Sequence, residues 1–221
     1  MNRTSKRTAT VNNGALAARR HLIIFARFPV AGGGKRRLAR GIGAAQAVRF
    51  QRIRVAHLIA TFARDPRWST TFAVTPDFSG PWYPGNLGLR ASAVRHLYQG
   101  RGDLGSRMAR AADLMPPGDV VIIGSDIPGI GRSDVADAFD ALGRADAVFG
   151  PAPDGGYWLV GLKGTPRRRS PFDGVRWSSA HTLDDTIANL GSARIALLRT
   201  IQDIDEPADL AAAPDWPRLI R

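Results

Sequence analysis

Asp119-Val-Val-Ile-Ile-Gly-Ser-Asp-Ile-Pro128 is the stretch that decides the architecture. Val120 to Ile123 is an unbroken β-branched run, bounded by Pro116-Pro117-Gly118 on one side and Gly124 on the other. A run so punctuated predicts a strand buried on both faces, in the middle of a parallel sheet. It ends on Gly-Ser-Asp. In open α/β sheets, ligands bind beyond the carboxyl ends of the central strands, which puts Asp126 where a site belongs. A strand-end aspartate is also an ordinary turn or cap residue, so the rest of the chain has to decide between the two.

Working outward, strands and helices alternate. Residues 21–27, 69–75, 95–99, 146–151, 157–162 and 195–198 read as strands, from short apolar or β-branched runs. Residues 44–63 carry helical spacing, with Ala47, Phe50, Ile53, Arg54, His57, Leu58 and Thr61 recurring on one side. Asp103 caps a helix with apolar positions from Leu104 to Met115, and Ser133 caps another that Gly143 stops. Ser178 or Ser179 opens a helix running to about Leu190, and Asp205 caps a terminal one with Pro207 in its first turn. Residues 76–89 form a Pro/Gly-rich loop. The strands 146–151 and 157–162 are joined too closely for a parallel crossover, so at least one antiparallel pair is expected. The pattern is a single-domain α/β fold with a mixed, mostly parallel sheet and helices on both faces.

Composition narrows the class. Of 221 residues, 44% are hydrophobic and 23% charged, as in ordinary globular proteins. There is no cysteine, which excludes disulfides, thiolate zinc sites and a cysteine nucleophile and fits a reducing cytoplasm. No stretch approaches the ~20 apolar residues of a membrane span. The net charge is +12, of which Arg3, Lys6, Arg7, Arg19 and Arg20 supply five in a polar, aperiodic segment. Residues 1–20 are expected to be a disordered basic tail, and 21–221 the domain. The charge suits nucleic acid or small anions such as phosphates. Nucleic acid is disfavoured, because aromatics are not interleaved with the cations.

Two constellations carry chemistry. Gly32-Gly33-Gly34-Lys35-Arg36-Arg37 follows the first strand, where glycines let backbone N–H groups approach an anion and the cations neutralise it. It is neither a P-loop nor a dinucleotide fingerprint. Asp126 and Asp154 both sit just beyond strands, the latter in Pro153-Asp-Gly-Gly-Tyr-Trp158. Two carboxylates at one sheet edge suit a hard cation that bridges phosphates. Pro-Asp-Gly-Gly is also a strong turn signal. The four histidines lack metal spacing and read as structural.

The chain resembles a bacterial family of small GT-A-like proteins in the nucleotide-diphospho-sugar transferase superfamily. Some members are named as glycosyltransferases of arsenosugar biosynthesis and many have no known function. The likeness is carried by Phe25-Ala-Arg-Phe-Pro-Val-Ala-Gly-Gly-Gly-Lys35, Gln99-Gly-Arg-Gly-Asp-Leu-Gly-Ser-Arg-Met108, Ile123-Gly-Ser-Asp-Ile-Pro-Gly129, Phe149-Gly-Pro-Ala-Pro-Asp-Gly-Gly-Tyr-Trp-Leu159, Val175-Arg-Trp-Ser178 and Asp203-Ile-Asp-Glu-Pro-Ala-Asp-Leu210. A weaker similarity reaches the 2-phospholactate guanylyltransferases. One departure stands out: the family's Gly-x-x-Lys-Thr-Arg-Leu has Arg36 here in place of threonine.

The resemblance implies a Rossmann-like GT-A fold and a metal-dependent glycosyltransferase using a nucleotide-diphosphate sugar and a small acceptor. The alternatives are a guanylyltransferase-like nucleotidyltransferase that takes a nucleoside triphosphate, and a non-catalytic nucleotide or nucleic-acid binder. The nucleotide would lie over Arg27, Gly33, Gly34, Lys35 and Arg37, with Gly102 and Ser125 beside it. Asp126 would hold Mg²⁺ or Mn²⁺. Gly124 stands where the second acid of an Asp-x-Asp site would be, so Asp154, or else Asp205, would complete the metal shell. Asp103 or Asp154 would orient the acceptor or act as base, and Asp103 is equally explained as a helix cap. A homodimer is compatible with this reading.

Overall fold

The computed structural model of the chain describes residues 19–28, 36–77, 95–164 and 170–202. Among them lie strands β1 (Arg20–Arg27), β2 (Ser69–Thr75), β3 (Arg95–Tyr98), β4 (Asp119–Gly124), β5 (Ala147–Pro151), β6 (Tyr157–Leu162) and β7 (Ile195–Leu197). The helices are α1 (Arg36–Ile42), α2 (Ala44–Phe62), α3 (Leu104–Asp113), α4 (Arg132–Leu142) and α5 (Thr182–Ala188). The strands form one seven-stranded sheet in the order β3-β2-β1-β4-β6-β5-β7. This is the expected α/β architecture with a mainly parallel sheet.

The core has two layers because strand residues alternate faces. Leu22, Ile24, Val121 and Ile123 face α2 and α4, meeting Leu58, Ile59, Phe62, Val135 and Phe139. Ile23, Phe25, Val120 and Ile122 face the opposite side, meeting Met108, Ala111 and Ala112 of α3. Each large apolar side chain so buried contributes roughly 1.5–3 kcal/mol. β4 is the hub. It pairs in parallel with β1, Ile23 opposite Ile122, and antiparallel with β6, Ile122 opposite Val160. The sequence reading placed β4 between parallel neighbours; the close β5–β6 hairpin instead inserts β6, reversed, against it.

Several boundaries differ from expectation. β1 begins at Arg20, and the Arg19 carbonyl accepts from Asp119 N, so the described end of the basic segment is stitched to β4. A short helix, α1, starts at Arg36. Helix α4 is capped by Gly131 rather than Ser133, because the Asp134 carboxylate reaches back to Gly131 N at 2.8 Å. Helix α5 starts at Thr182, not at Ser178 or Ser179. Ser179 and Thr182 spend their hydroxyls on the Arg176 carbonyl, at 2.7 and 2.9 Å, and hold a turn before the helix. Asp203, Asp205 and the terminal helix, the loop at 78–94 and Arg167–Arg169 lie outside the described residues.

Candidate functional site

The carboxyl ends of β1, β2, β4 and β5 lie at one sheet edge, and β6 enters the sheet there. Ser125 and Asp126 follow β4 directly; Ser125 is buried and its hydroxyl donates to Asp126 Oδ1 at 3.3 Å. The segment that carries them is held from behind. Arg54, 2% exposed on α2, donates through Nη2 to the Ile127 carbonyl, and Arg199 donates to the Gly129 carbonyl at 3.0 Å. A buried arginine on an apolar helix face is costly unless it is well bonded, and here it anchors the turn bearing Asp126.

Asp154 occupies the β5–β6 hairpin. Its Oδ1 accepts from Gly156 N at 2.9 Å, and Ala152 N donates to the Gly156 carbonyl at 3.0 Å. The hairpin is pinned by Leu183 N, which donates to the Gly155 carbonyl at 2.9 Å. Gly155 has φ +84, and a Cβ there would stand 2.2 Å from the Ala180 carbonyl oxygen. Turn and ligand-bearing roles therefore coexist in Asp154-Gly-Gly156.

The cationic side of the edge is built around Gln99, 3% exposed. Its Nε2 donates to the Ala26 and Ala73 carbonyls at 3.2 and 2.9 Å, bridging the ends of β1 and β2. Its Oε1 accepts from Arg107 Nη1 at 3.0 Å, which sets Arg107 on α3 near Arg27. Burial, then the neighbouring Arg27 charge, holds the Arg107 guanidinium below its usual range. Two neighbouring guanidinium groups make a receptive place for an anion. Arg37 is exposed in α1, while Gly33, Gly34 and Lys35 lie outside the described residues.

Asp103 caps α3, accepting from Ser106 N at 2.8 Å. Hydrogen bonds from Ser106, with smaller effects of Trp177 and Arg107, hold its carboxyl below the ordinary range, which makes it a poor proton acceptor. The Trp177 indole N–H is close enough to be felt by that carboxylate yet makes no hydrogen bond of normal geometry with the described residues. Gly102 precedes the cap with φ +110. At Gly105 a Cβ would meet Phe172 Cβ and Trp177 Cζ2, each at 2.7 Å, so the Gly102-Asp-Leu-Gly105 segment lets α3 press against the 172–177 loop.

A cavity of about 150 Å³ is lined by Leu104 and Ile127 together with Asp154, Tyr157, Trp158 and Trp177. The segments that carry Asp126 and Asp154 thus border one space. Their donor set is oxygen only, carboxylates with a serine hydroxyl, which fits a hard divalent cation rather than zinc. Among the described residues no three acids or histidines gather that could hold a metal ion. Asp205, the third expected ligand, lies outside them.

Gln99, Arg107, Arg54 and Trp177 were not singled out as site residues from sequence. Gln99 and Arg107 do sit in the Gln99–Met108 segment that carries the family likeness, and Arg54 is an arginine on an otherwise apolar helical stripe.

A family profile described as "Uncharacterized protein conserved in bacteria (DUF2064)" matches residues 58–179. The chain is similar to an inferred nucleotide-diphospho-sugar transferase of Desulfovibrio desulfuricans G20, with TM-score 0.76, 25% identity, and 90% and 93% of the two chains covered. It has the fold of 4-diphosphocytidyl-2C-methyl-D-erythritol synthase from Anaerococcus prevotii DSM 20548, with TM-score 0.58, 10% identity, and 90% and 98% covered. Over 60 residues, 26% of this chain, it is 42% identical to 2-phospho-L-lactate guanylyltransferase of Methanothermobacter thermautotrophicus. That match covers 27% of the relative's length. No helix among the described residues is long and apolar enough to cross a membrane.

Proposed function

The chain belongs to the DUF2064 family and is a transferase of the nucleotide-diphospho-sugar transferase superfamily, and from that premise we propose that it moves a sugar from a nucleotide-diphosphate donor to a small hydroxylated acceptor. The observation that carries this is the meeting, at one sheet edge, of a guanidinium pair (Arg27 and Arg107), the Asp126 turn and the Asp154 hairpin.

Arg27, Arg107, Arg37 and Lys35 would neutralise the diphosphate. Asp126 would hold Mg²⁺ or Mn²⁺, with Asp205 as a further ligand and Asp154 beside it, and a bound cation supplies charge neutralisation for the departing diphosphate. Asp154, at the cavity, would accept the proton of the acceptor hydroxyl as its oxygen bonds to the anomeric carbon. The nucleoside diphosphate leaves with the electrons of the broken C–O bond. Asp103, with its depressed carboxyl, is better suited to fixing the start of α3 than to taking that proton.

A second reading is supported by the guanylyltransferase similarity: attack by a phosphorylated acceptor on a nucleoside triphosphate, releasing diphosphate. Calorimetry with Mg²⁺ or Mn²⁺ separates the two. The first expects saturable binding of a nucleotide sugar that is lost in Asp126→Ala. Metal-dependent binding of a triphosphate without any binding of nucleotide sugars would move the conclusion to nucleotidyl transfer. A panel with no metal-dependent nucleotide binding would refute both.

A further inference from the structure

Gln99 is nearly sealed from solvent, yet each of its hydrogen-bonding groups is engaged. Its backbone N–H donates to the Val74 carbonyl at 3.0 Å, extending the β2–β3 ladder by one residue. Its carbonyl accepts from Arg110 Nη1 at 2.7 Å, and the same guanidinium reaches the Arg101 carbonyl at 2.9 Å. Gly100 N donates to Asp77 Oδ1 at 3.0 Å. The main chain leading from β3 to α3 is therefore fixed, and the Gln99 side chain extends from a rigid base.

That side chain can sit in one orientation only. Nε2 faces the Ala26 and Ala73 carbonyls, at 3.2 and 2.9 Å, which only accept. Oε1 faces Arg107 Nη1, at 3.0 Å, which only donates. Ala26 directly precedes Arg27 at the end of β1. One amide thus holds both the strand end that carries Arg27 and the guanidinium of Arg107. It does so against the repulsion of Arg27 on Arg107; Asp103 and Asp77 act on Arg107 in the opposite sense, each less strongly. A carboxylate at position 99 would also grip Arg107, but it would cancel its charge. A neutral amide orients the guanidinium and leaves its charge for a ligand.

We propose that Gln99 is a positioning residue for the anion site: without touching the ligand, it fixes the spacing and direction of the Arg27 and Arg107 guanidinium groups so that both meet one diphosphate. This rests on the transferase reading for the identity of the anion. A purely structural bridge between β1 and β2 requires Nε2 alone. The bond from Oε1 to Arg107 is what the anion site adds.

The test is a double-mutant cycle on the full chain, read by calorimetric titration with inorganic diphosphate, without metal, near neutral pH. Gln99→Met keeps the length of the side chain and removes the amide. It should weaken diphosphate binding about tenfold, the worth of one charge-assisted hydrogen bond. Arg107→Met should weaken it at least as much. Adding Gln99→Met to Arg107→Met should then change nothing further, because the residue acts through the guanidinium that is gone. Gln99→Asn guards against a variant that does not fold. It retains an amide for the strand-end carbonyls but is one methylene too short to reach Arg107 as well, and it too should lose about tenfold. Losses that multiply in the double variant, or a Gln99→Asn chain that binds as the native one does, would confine Gln99 to the sheet and overturn the proposal. Absence of diphosphate binding by the native chain would also overturn it. Nucleotide binding with Mg²⁺, titrated on the same samples, is the separate readout. Coupled loss of diphosphate without any nucleotide binding would defeat the transferase reading and leave a positioned anion site, whereas nucleotide binding with multiplying losses would defeat the positioning role alone.

Discussion

Arg107 shows how one side chain acquires a role from its surroundings. Gln99 Oε1 and the Asp103 carbonyl take its donors at 3.0 and 3.2 Å, so the guanidinium is oriented before any ligand arrives. Burial and Arg27 both disfavour its charge, and an incoming anion relieves that penalty. Arg107→Lys keeps the charge but loses the planar fork. Nucleotide affinity should fall about tenfold, the worth of one charge-assisted hydrogen bond, with the far-ultraviolet dichroism unchanged. Calorimetric titration with the nucleotide sugar that binds best checks this; an unaltered affinity would remove Arg107 from the site. Asp126 and Asp103 differ in the same way. Both end up as acids near a sheet edge; Asp103 accepts from Ser106 N as the cap of α3, a role that the neighbouring sequence already announces, whereas Asp126 accepts from the adjacent Ser125 hydroxyl.

Among the elements, the β5–β6 hairpin is the most demanding. It turns through Asp154-Gly-Gly156 while pressed against Ala180, and Gly150 leaves space for the Trp158 indole, which a Cβ would approach to 2.3 Å. Gly155→Ala must pay for the left-handed backbone, about 1–2 kcal/mol, and also displace the Ala180 carbonyl. Gly191→Ala is the matched control, since it has φ +59 and nothing within 4 Å of the added Cβ. Urea unfolding should show Gly155→Ala losing clearly more than Gly191→Ala, by roughly 2 kcal/mol. Equal losses would mean the hairpin yields at no cost and Asp154 is not held by it. Helix α4 and the stretch after β7 show a different dependence. Their mutual position rests on Arg199, which bonds Asp134 at 2.6 and 3.0 Å although the two are far apart in the chain.

For the whole molecule, that Asp134–Arg199 link ties α4 to the far end of the sheet and should appear in its acid sensitivity. Burial opposes ionisation of Asp134, but the Arg199 hydrogen bond and Gly131 N outweigh it and hold the carboxyl below its usual range. The folded value is thus under the unfolded value of about 3.9. Its stabilising effect is complete above that value and lost as pH falls through the folded one. The unfolding free energy of the native chain should exceed that of Asp134→Asn by about 1–2 kcal/mol near neutrality. The difference should stay flat down to about pH 5 and shrink on further acidification. A gap that persists unchanged at about pH 3 would rule out the carboxylate as its source. Much of the architecture was legible locally: the runs Leu22–Ile24 and Val120–Ile123, the helical stripe of α2, the Asp103 cap and the β5–β6 hairpin all announce themselves within a few residues. The boundaries that shifted, at Gly131 and Thr182, did so because the Asp134 carboxylate reached back to Gly131 N and the Arg176 carbonyl took the Ser179 and Thr182 hydroxyls. Chain order and hydrophobic period were thus enough to name the fold class and to put Asp126 and Asp154 at strand ends. They could not say that β6 would lie reversed against β4, that Gln99 would carry Arg107 to Arg27, or that Trp177 and Asp154 would line one cavity. Those outcomes join residues distant in sequence, and they are selected by which packing satisfies buried polar groups and fills space, a condition no local pattern encodes.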